Sequence, residues 1–192
     1  MIKNFYIFRN GQSSHNYIGK LQGQNNNSVL TDEGINQALL AADHLKDKNI
    51  DIVISSPQRR AKQTGSIVAK KIKAPIHYDS RLVELNLGDV EGMKLQKLSP
   101  KQLDVLHQWY NNSSNDNIHF KNGESKIELR KRIREALNEY TSKEYNNVAI
   151  SSHNFPILET LQSMNISKND IANGEIIHIQ YDGSDWKYVA SI

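Results

Sequence analysis

Three short apolar runs, each broken by a polar turn that opens onto a helical pattern, constrain this chain most. Phe5 to Phe8, Ile50 to Ile54 and Val148 to Ile150 read as buried strands, being short, apolar and bounded by turn signals. They are followed by Arg9-Asn10-Gly11-Gln12-Ser13, Ser55-Ser56-Pro57-Gln58-Arg59-Arg60 and Ser151-Ser152-His153-Asn154. Strands alternating with helices imply an α/β domain with a largely parallel sheet. Ligands of such sheets bind where the strands end at their carboxyl termini, so the three turns are expected on one edge.

The remaining pattern is consistent with that frame. Arg9 to Leu30 is polar and glycine-bearing, a long loop of the kind that usually carries function. Thr31 caps a helix with Asp32 and Glu33 in its first turn and Ile35, Ala38, Leu39, Ala42 and Leu45 at helical spacing. A second helix is expected from Pro57 to about Lys71, with the proline near its first position. Pro75 to Tyr78 reads as a short strand, and Leu82 to Gly92 as a loop. Ser99 and Pro100 open a helix to about Tyr110, and Asn111 to Asn117 reads as a mobile loop tip. A long amphipathic helix is expected over Ser125 to Tyr140, with Ile127, Ile133, Ala136 and Leu137 inside and Arg130, Lys131, Arg132 and Arg134 on its wet face. After Ser151 to Pro156, a helix runs to near Met164. Ile176 to Tyr181 and Trp186 to Val189 read as strands across an Asp182-Gly183 turn.

Length and charge narrow the function classes. With 192 residues the chain fits a single domain, 1–192, and needs no covalent staples. Cysteine is absent, which excludes disulfides, thiol catalysis and Cys-ligated zinc. No histidine spacing suggests a metal, and no cofactor is expected. A net charge of +3 is too small to argue for nucleic acid, but it suits a local basic pocket for a small anion. No stretch approaches the length of a membrane span and the N-terminus lacks a cleavable leader pattern, so the expected location is cytoplasmic. Oligomeric state is not readable.

The turns carry a coherent chemistry. Arg9 and Arg60 (or Arg59) follow different strands, and two converging guanidinium groups make a fork-shaped phosphate site. The first helical turn after Ser56 and Pro57 offers backbone N–H donors. His153 is placed to donate to the same anion, and Glu84 to protonate a leaving group. Singly, each has a more ordinary structural explanation. Together they form a metal-free phosphoryl-transfer constellation.

Taken in order, these segments resemble the histidine phosphatase superfamily, also called the phosphoglycerate mutase-like family. Arg9-Asn10-Gly11-Gln12-Ser13 resembles its Arg-His-Gly-Glu/Gln-Ser/Thr turn, and Asn16 follows where an Asn is common. Leu30-Thr31, Gly34 and Gln37-Ala38 resemble its first helix, and Ser55-Ser56-Pro57 with Arg60-Ala61 and Gln63-Thr64 its second turn. Leu82, Glu84, Gly88, Glu91 and Gly92, then Gly123-Glu124-Ser125, then Ser152-His153 complete six ordered motifs over nearly the whole chain. The resemblance implies a three-layer α/β/α sandwich with a small helical cap insertion at about 93–122. It also implies a phosphomonoester phosphatase working through a phosphohistidine. Carried over, Arg9, Arg60 and His153 hold the phosphoryl oxygens and Glu84 protonates the leaving oxygen. Ser13, Asn16, Gln22 and Asn154 are expected contacts to a small anionic phosphate ester.

One position departs. The family's nucleophilic histidine falls on Asn10, whose carboxamide nitrogen has its lone pair delocalised and is a very poor nucleophile. Asn154 likewise stands where the family has Gly. The chain as written is therefore expected to bind a phosphate ester without forming a phosphoenzyme. Either Asn10 was introduced into an active phosphatase, which the retention of Glu84 and His153 favours, or the chain is a natural phosphate-ester-binding pseudo-phosphatase. The codon at position 10 in the source genome discriminates the two. A phosphoglycerate-type mutase is a further alternative.

Overall fold

The computed structural model describes residues 2–111 and 115–192. Its frame is a six-stranded sheet in the order β3-β2-β4-β1-β5-β6. The strands are β1 (Lys3–Arg9), β2 (Ile52–Ser55), β3 (Ile76–Tyr78), β4 (Asn147–Ser152), β5 (Ile176–Tyr181) and β6 (Trp186–Ser191). β3, β2, β4 and β1 run parallel, and β5 and β6 add an antiparallel edge. The sequence explains this arrangement. Phe5 and Ile7 enter one apolar cluster while Tyr6 and Phe8 enter the other, so β1 needs no polar face and is covered on both sides.

Helices α2 (Asp32–Leu45) and α3 (Arg59–Ile72) cover one face, where Ala41, Ala42, Leu45, Val68 and Ala69 meet Tyr6, Phe8, Val53 and Ala149. The other face carries α5 (Lys126–Thr141) and α6 (Asn154–Gln162), with α4 (Pro100–Tyr110) packed beyond them through Trp109 against Phe155. This is the expected three-layer α/β/α sandwich. Among the described residues, no helix is long and apolar enough to cross a membrane.

Several local expectations are corrected. The long loop after β1 contains a one-turn helix, α1 (Ser14–Tyr17), capped reciprocally by Ser13 and Asn16. Pro57 lies outside α3, because the chain makes one further turn and Gln58 is the cap. Gln58 is drawn there by its side chain, which accepts from Glu84 N at 2.6 Å and donates to Gly23 O at 3.1 Å. In α5 the inward first-turn position belongs to Lys126, buried against Glu159 at 3.5 Å, and Ile127 is exposed. Arg132 is not on a wet face, since its guanidinium is committed to the 81–84 segment. Ile35 and Leu39 of α2 are exposed, and Ala41, Ala42 and Leu45 further along the helix make the contact with the sheet. Part of the expected mobile tip at 111–117 lies outside the described residues.

Candidate functional site

The parallel register places the three turns side by side. Arg9 ends β1 opposite Ser152, and Ser55 ends β2 opposite Ser151. Gly11 lets the chain leave β1 flush against α2, since a Cβ there would meet Gly34 O at 2.2 Å. Gly11 N then donates to Thr64 Oγ1 of α3 at 3.1 Å, which fixes the first turn against the second.

A cavity of about 110 Å³ opens at this edge, lined by Arg9, Asn10, Asn16, Gln22, Arg60, Glu84 and Asn154 among others. The choice between Arg59 and Arg60 is thereby resolved. Arg60 is 2% exposed and lines the cavity, whereas Arg59 is exposed and its backbone caps against Asn26. Arg60 donates to Asn25 O at 3.1 Å and Gly23 O at 2.9 Å. Burial lowers its pKa to about 10 despite the opposing pull of Glu84. Arg9 pairs with Asp170 at 3.1 Å and donates to Ile171 O.

Glu84 is buried at the start of α6. Its Oε1 accepts from Leu85 N at 2.8 Å and Phe155 N at 3.2 Å, and its Oε2 from Asn154 N at 3.1 Å. Those donors and Arg60 favour the carboxylate, but burial outweighs them and raises the pKa above the usual range. A carboxyl that retains its proton beside an anion site can act as a proton donor.

His153 sits differently from expectation. It is fully buried behind Asn10 and does not line the cavity. Its Nδ1 meets Asn10 Oδ1 at 3.0 Å and its Nε2 meets Ser56 Oγ at 2.8 Å. Burial, reinforced by Arg60, Arg132 and Arg9, holds its pKa well below the ordinary value, so the ring is neutral at pH 7. Ser13 is also fully buried away from the cavity; its hydroxyl donates to Asn16 Oδ1 and Gln22 Oε1, and so orients those two lining residues. Asn154 lines the cavity, and its Oδ1 accepts from Ile171 N at 2.9 Å.

The sequence assigns no side-chain role to the other participants, although Ser56 lies in the Ser55-Ser56-Pro57 turn. Ser56 engages His153, Lys20 lines the cavity, and Asn173 donates to Asn10 O at 2.8 Å. Of the apolar residues between Gly92 and Gly123, Tyr110 lines the cavity, while Leu98, Leu106, Trp109 and Phe120 are buried in the core. Burial pushes the Tyr110 phenol up to about 12. Among the described residues, no three His, Asp or Glu side chains converge to hold a metal ion.

Comparison with known proteins gives the family and the fold. Residues 5–191 match the histidine phosphatase superfamily (branch 1). The chain is 34% identical over 152 residues to "Putative phosphoserine phosphatase 2" of Hydrogenobacter thermophilus, covering 79% of this chain and 73% of that one. It is 35% identical over 132 residues to "Probable phosphoglycerate mutase GpmB" of Yersinia pestis, covering 69% of this chain and 60% of the relative's length. In structure it resembles a mycobacterial glucosyl-3-phosphoglycerate phosphatase, with a TM-score of 0.85 at 21% identity, covering 98% of this chain and 97% of the other. "Mycobacterial hydrolase 1" has a TM-score of 0.89 at 20% identity, covering 99% and 98%. The last two likenesses concern the fold alone.

Proposed function

The chain belongs to the histidine phosphatase superfamily, and from that premise we propose that it binds a small phosphate monoester in the cavity between Arg9 and Arg60. The observation that carries this reading is Arg60. It is a buried guanidinium whose hydrogen bonds go to main-chain carbonyls, so its charge is left for a ligand. Arg9 adds a second cation, and the amides of Asn16 and Gln22 supply neutral donors around the phosphoryl group. Glu84 faces the leaving oxygen, and Tyr110 on the segment at 93–122 roofs the pocket as part of a cap.

As it stands, with Asn10 where the family carries its nucleophile, the chain holds such an ester without forming a phosphoenzyme. Histidine at this position would attack phosphorus while the ester P–O bond breaks and the Glu84 proton passes to the departing oxygen. Water, deprotonated by the Glu84 carboxylate, would then attack phosphorus and break the P–N bond, freeing the imidazole and releasing inorganic phosphate. The parent activity is therefore a phosphomonoester phosphatase.

The Asn10→His variant tests this with p-nitrophenyl phosphate and a panel of phosphate esters. Hydrolysis should rise over the unmodified chain by a factor on the order of 10⁶, the scale seen when a covalent nucleophile is lost. No turnover of any ester by that variant would count against the reading. The mutase relatives make 3-phosphoglycerate an informative substrate: release of inorganic phosphate marks a phosphatase, and appearance of the 2-phospho isomer marks a mutase.

A further inference from the structure

A chain of buried hydrogen bonds runs behind the cavity, and each link fixes the direction of the next. Ser56 Oγ accepts from Gln58 N at 3.3 Å and lies 2.8 Å from His153 Nε2. The direction of that bond follows from the other ring nitrogen: Nδ1 faces Asn10 Oδ1, an acceptor, which puts the ring's one proton on Nδ1 and leaves Nε2 to accept from Ser56. A neutral imidazole that accepts at Nε2 carries its proton on Nδ1. That proton points at Asn10 Oδ1, 3.0 Å away. The opposite end of the Asn10 carboxamide is fixed as well, since Nδ2 donates to Gly11 O at 2.8 Å. Turning the amide over would set Oδ1 against Gly11 O and Nδ2 against the Nδ1 proton, losing both bonds. Ser56 and His153 are fully buried and Asn10 is 3% exposed, so water does not compete for these links.

We propose that Ser56, acting through His153, sets the polarity of the Asn10 carboxamide, so that Asn10 serves as a neutral hydrogen-bond donor to a phosphoryl oxygen in the cavity. The inference rests on the reading that this cavity takes a phosphoryl group. Asn10 has one oxygen and two N–H protons. His153 occupies the oxygen and Gly11 O one proton, so the second N–H is what this cavity-lining residue offers a ligand. Asn10 is a binding residue in this account rather than a blank in place of a nucleophile, and Ser56 is a positioning residue.

The test is heteronuclear NMR on the ¹⁵N-labelled full chain, titrated with inorganic phosphate. His153 should appear solely as the Nδ1–H tautomer at neutral pH. An Nε2–H tautomer or an imidazolium would overturn the proposal without any ligand present. On adding phosphate, one of the two Asn10 side-chain protons should move downfield while the other stays. The Ser56→Ala variant, in which Gly11 O alone still holds the carboxamide, should lower the share of the Nδ1–H tautomer and weaken phosphate binding by about threefold to tenfold, the scale of one neutral hydrogen bond. Asn10→Asp, which is isosteric but presents a negative charge, should weaken phosphate binding by roughly a hundredfold; unchanged affinity in that variant would overturn the donor role even if Ser56→Ala fails to fold. Failure of phosphate to bind the unmodified chain would overturn the cavity reading together with the Asn10 role. Phosphate binding that leaves the Asn10 protons unmoved would overturn only the inference made here.

Discussion

Two largely buried arginines, Arg60 and Arg132, both interact with Glu84 and are satisfied in opposite ways. The Arg132 guanidinium forms a two-point pair with Glu124, at 2.6 and 2.9 Å, and also donates to the carbonyls of Arg81, Val83 and Glu84. Its charge is answered within the fold, and the result is a strut that fixes the 81–84 segment and hence Glu84. Arg60 donates to the carbonyls of Gly23 and Asn25, and among the described residues no carboxylate is hydrogen-bonded to it. A buried cation without such a partner is costly, and burial accordingly lowers its pKa to about 10. On the function proposed above, the same residue type does structural work where a carboxylate meets it and binding work where the anion comes from outside.

The comparison can be broken most easily at the strut. Arg132→Met should lower folding stability by about 3–5 kcal/mol in chemical denaturation, because Glu124 is left largely buried without its partner. Arg60→Met should cost the fold less than about 1 kcal/mol, since a charge lacking a carboxylate partner is removed with its two carbonyl bonds. Equal losses for the two variants would erase the distinction. In binding the order reverses. Arg60→Ala should weaken inorganic phosphate by about 2–4 kcal/mol, read by equilibrium dialysis.

A smaller effect is expected from acid. The folded-state pKa of His153 is depressed, so between its folded value and the ordinary 6.5 the unfolded chain binds the extra proton. Its contribution to stability is therefore fully present above pH 6.5 and declines as pH falls below it. The slope is about 1.4 kcal/mol per pH unit for one proton. His15 and His178 are shifted in the same direction and steepen the decline. His153→Gln should remove about one proton from the slope measured between about pH 7 and pH 5. The smallest effect tests the sequence-coded ends of the helices, far from either arginine. Ser125→Ala, which deletes the reciprocal cap with Glu128, should lower stability by about 1 kcal/mol.

What was legible in the sequence was what local chemistry decides. The cap at Thr31 and the helix start at Ser99 stand where side-chain oxygens precede helical runs, and the strands β1, β2 and β4 follow the short apolar runs. Arg9, Asn10, Arg60, Glu84 and Asn154 share one cavity because parallel strands deliver their turns to one edge. Illegible features depended on a distant partner. Lys126 displaces Ile127 from the inward position because Glu159 waits on α6, and Arg132 leaves the solvent because the 81–84 carbonyls lie within reach. His153 was expected on the anion; it stands one residue behind, because Ser56 and Asn10 take both its nitrogens. No periodicity or spacing encodes such pairings.

On the proposed function, Arg9 and Arg60 frame a seat for a tetrahedral oxyanion. Titration calorimetry of the unmodified chain with orthovanadate tests it most directly. One vanadate should bind per chain with a saturable isotherm that Arg60→Ala weakens by about 2–4 kcal/mol; no heat of binding, or an isotherm indifferent to that substitution, would leave the two arginines without this role.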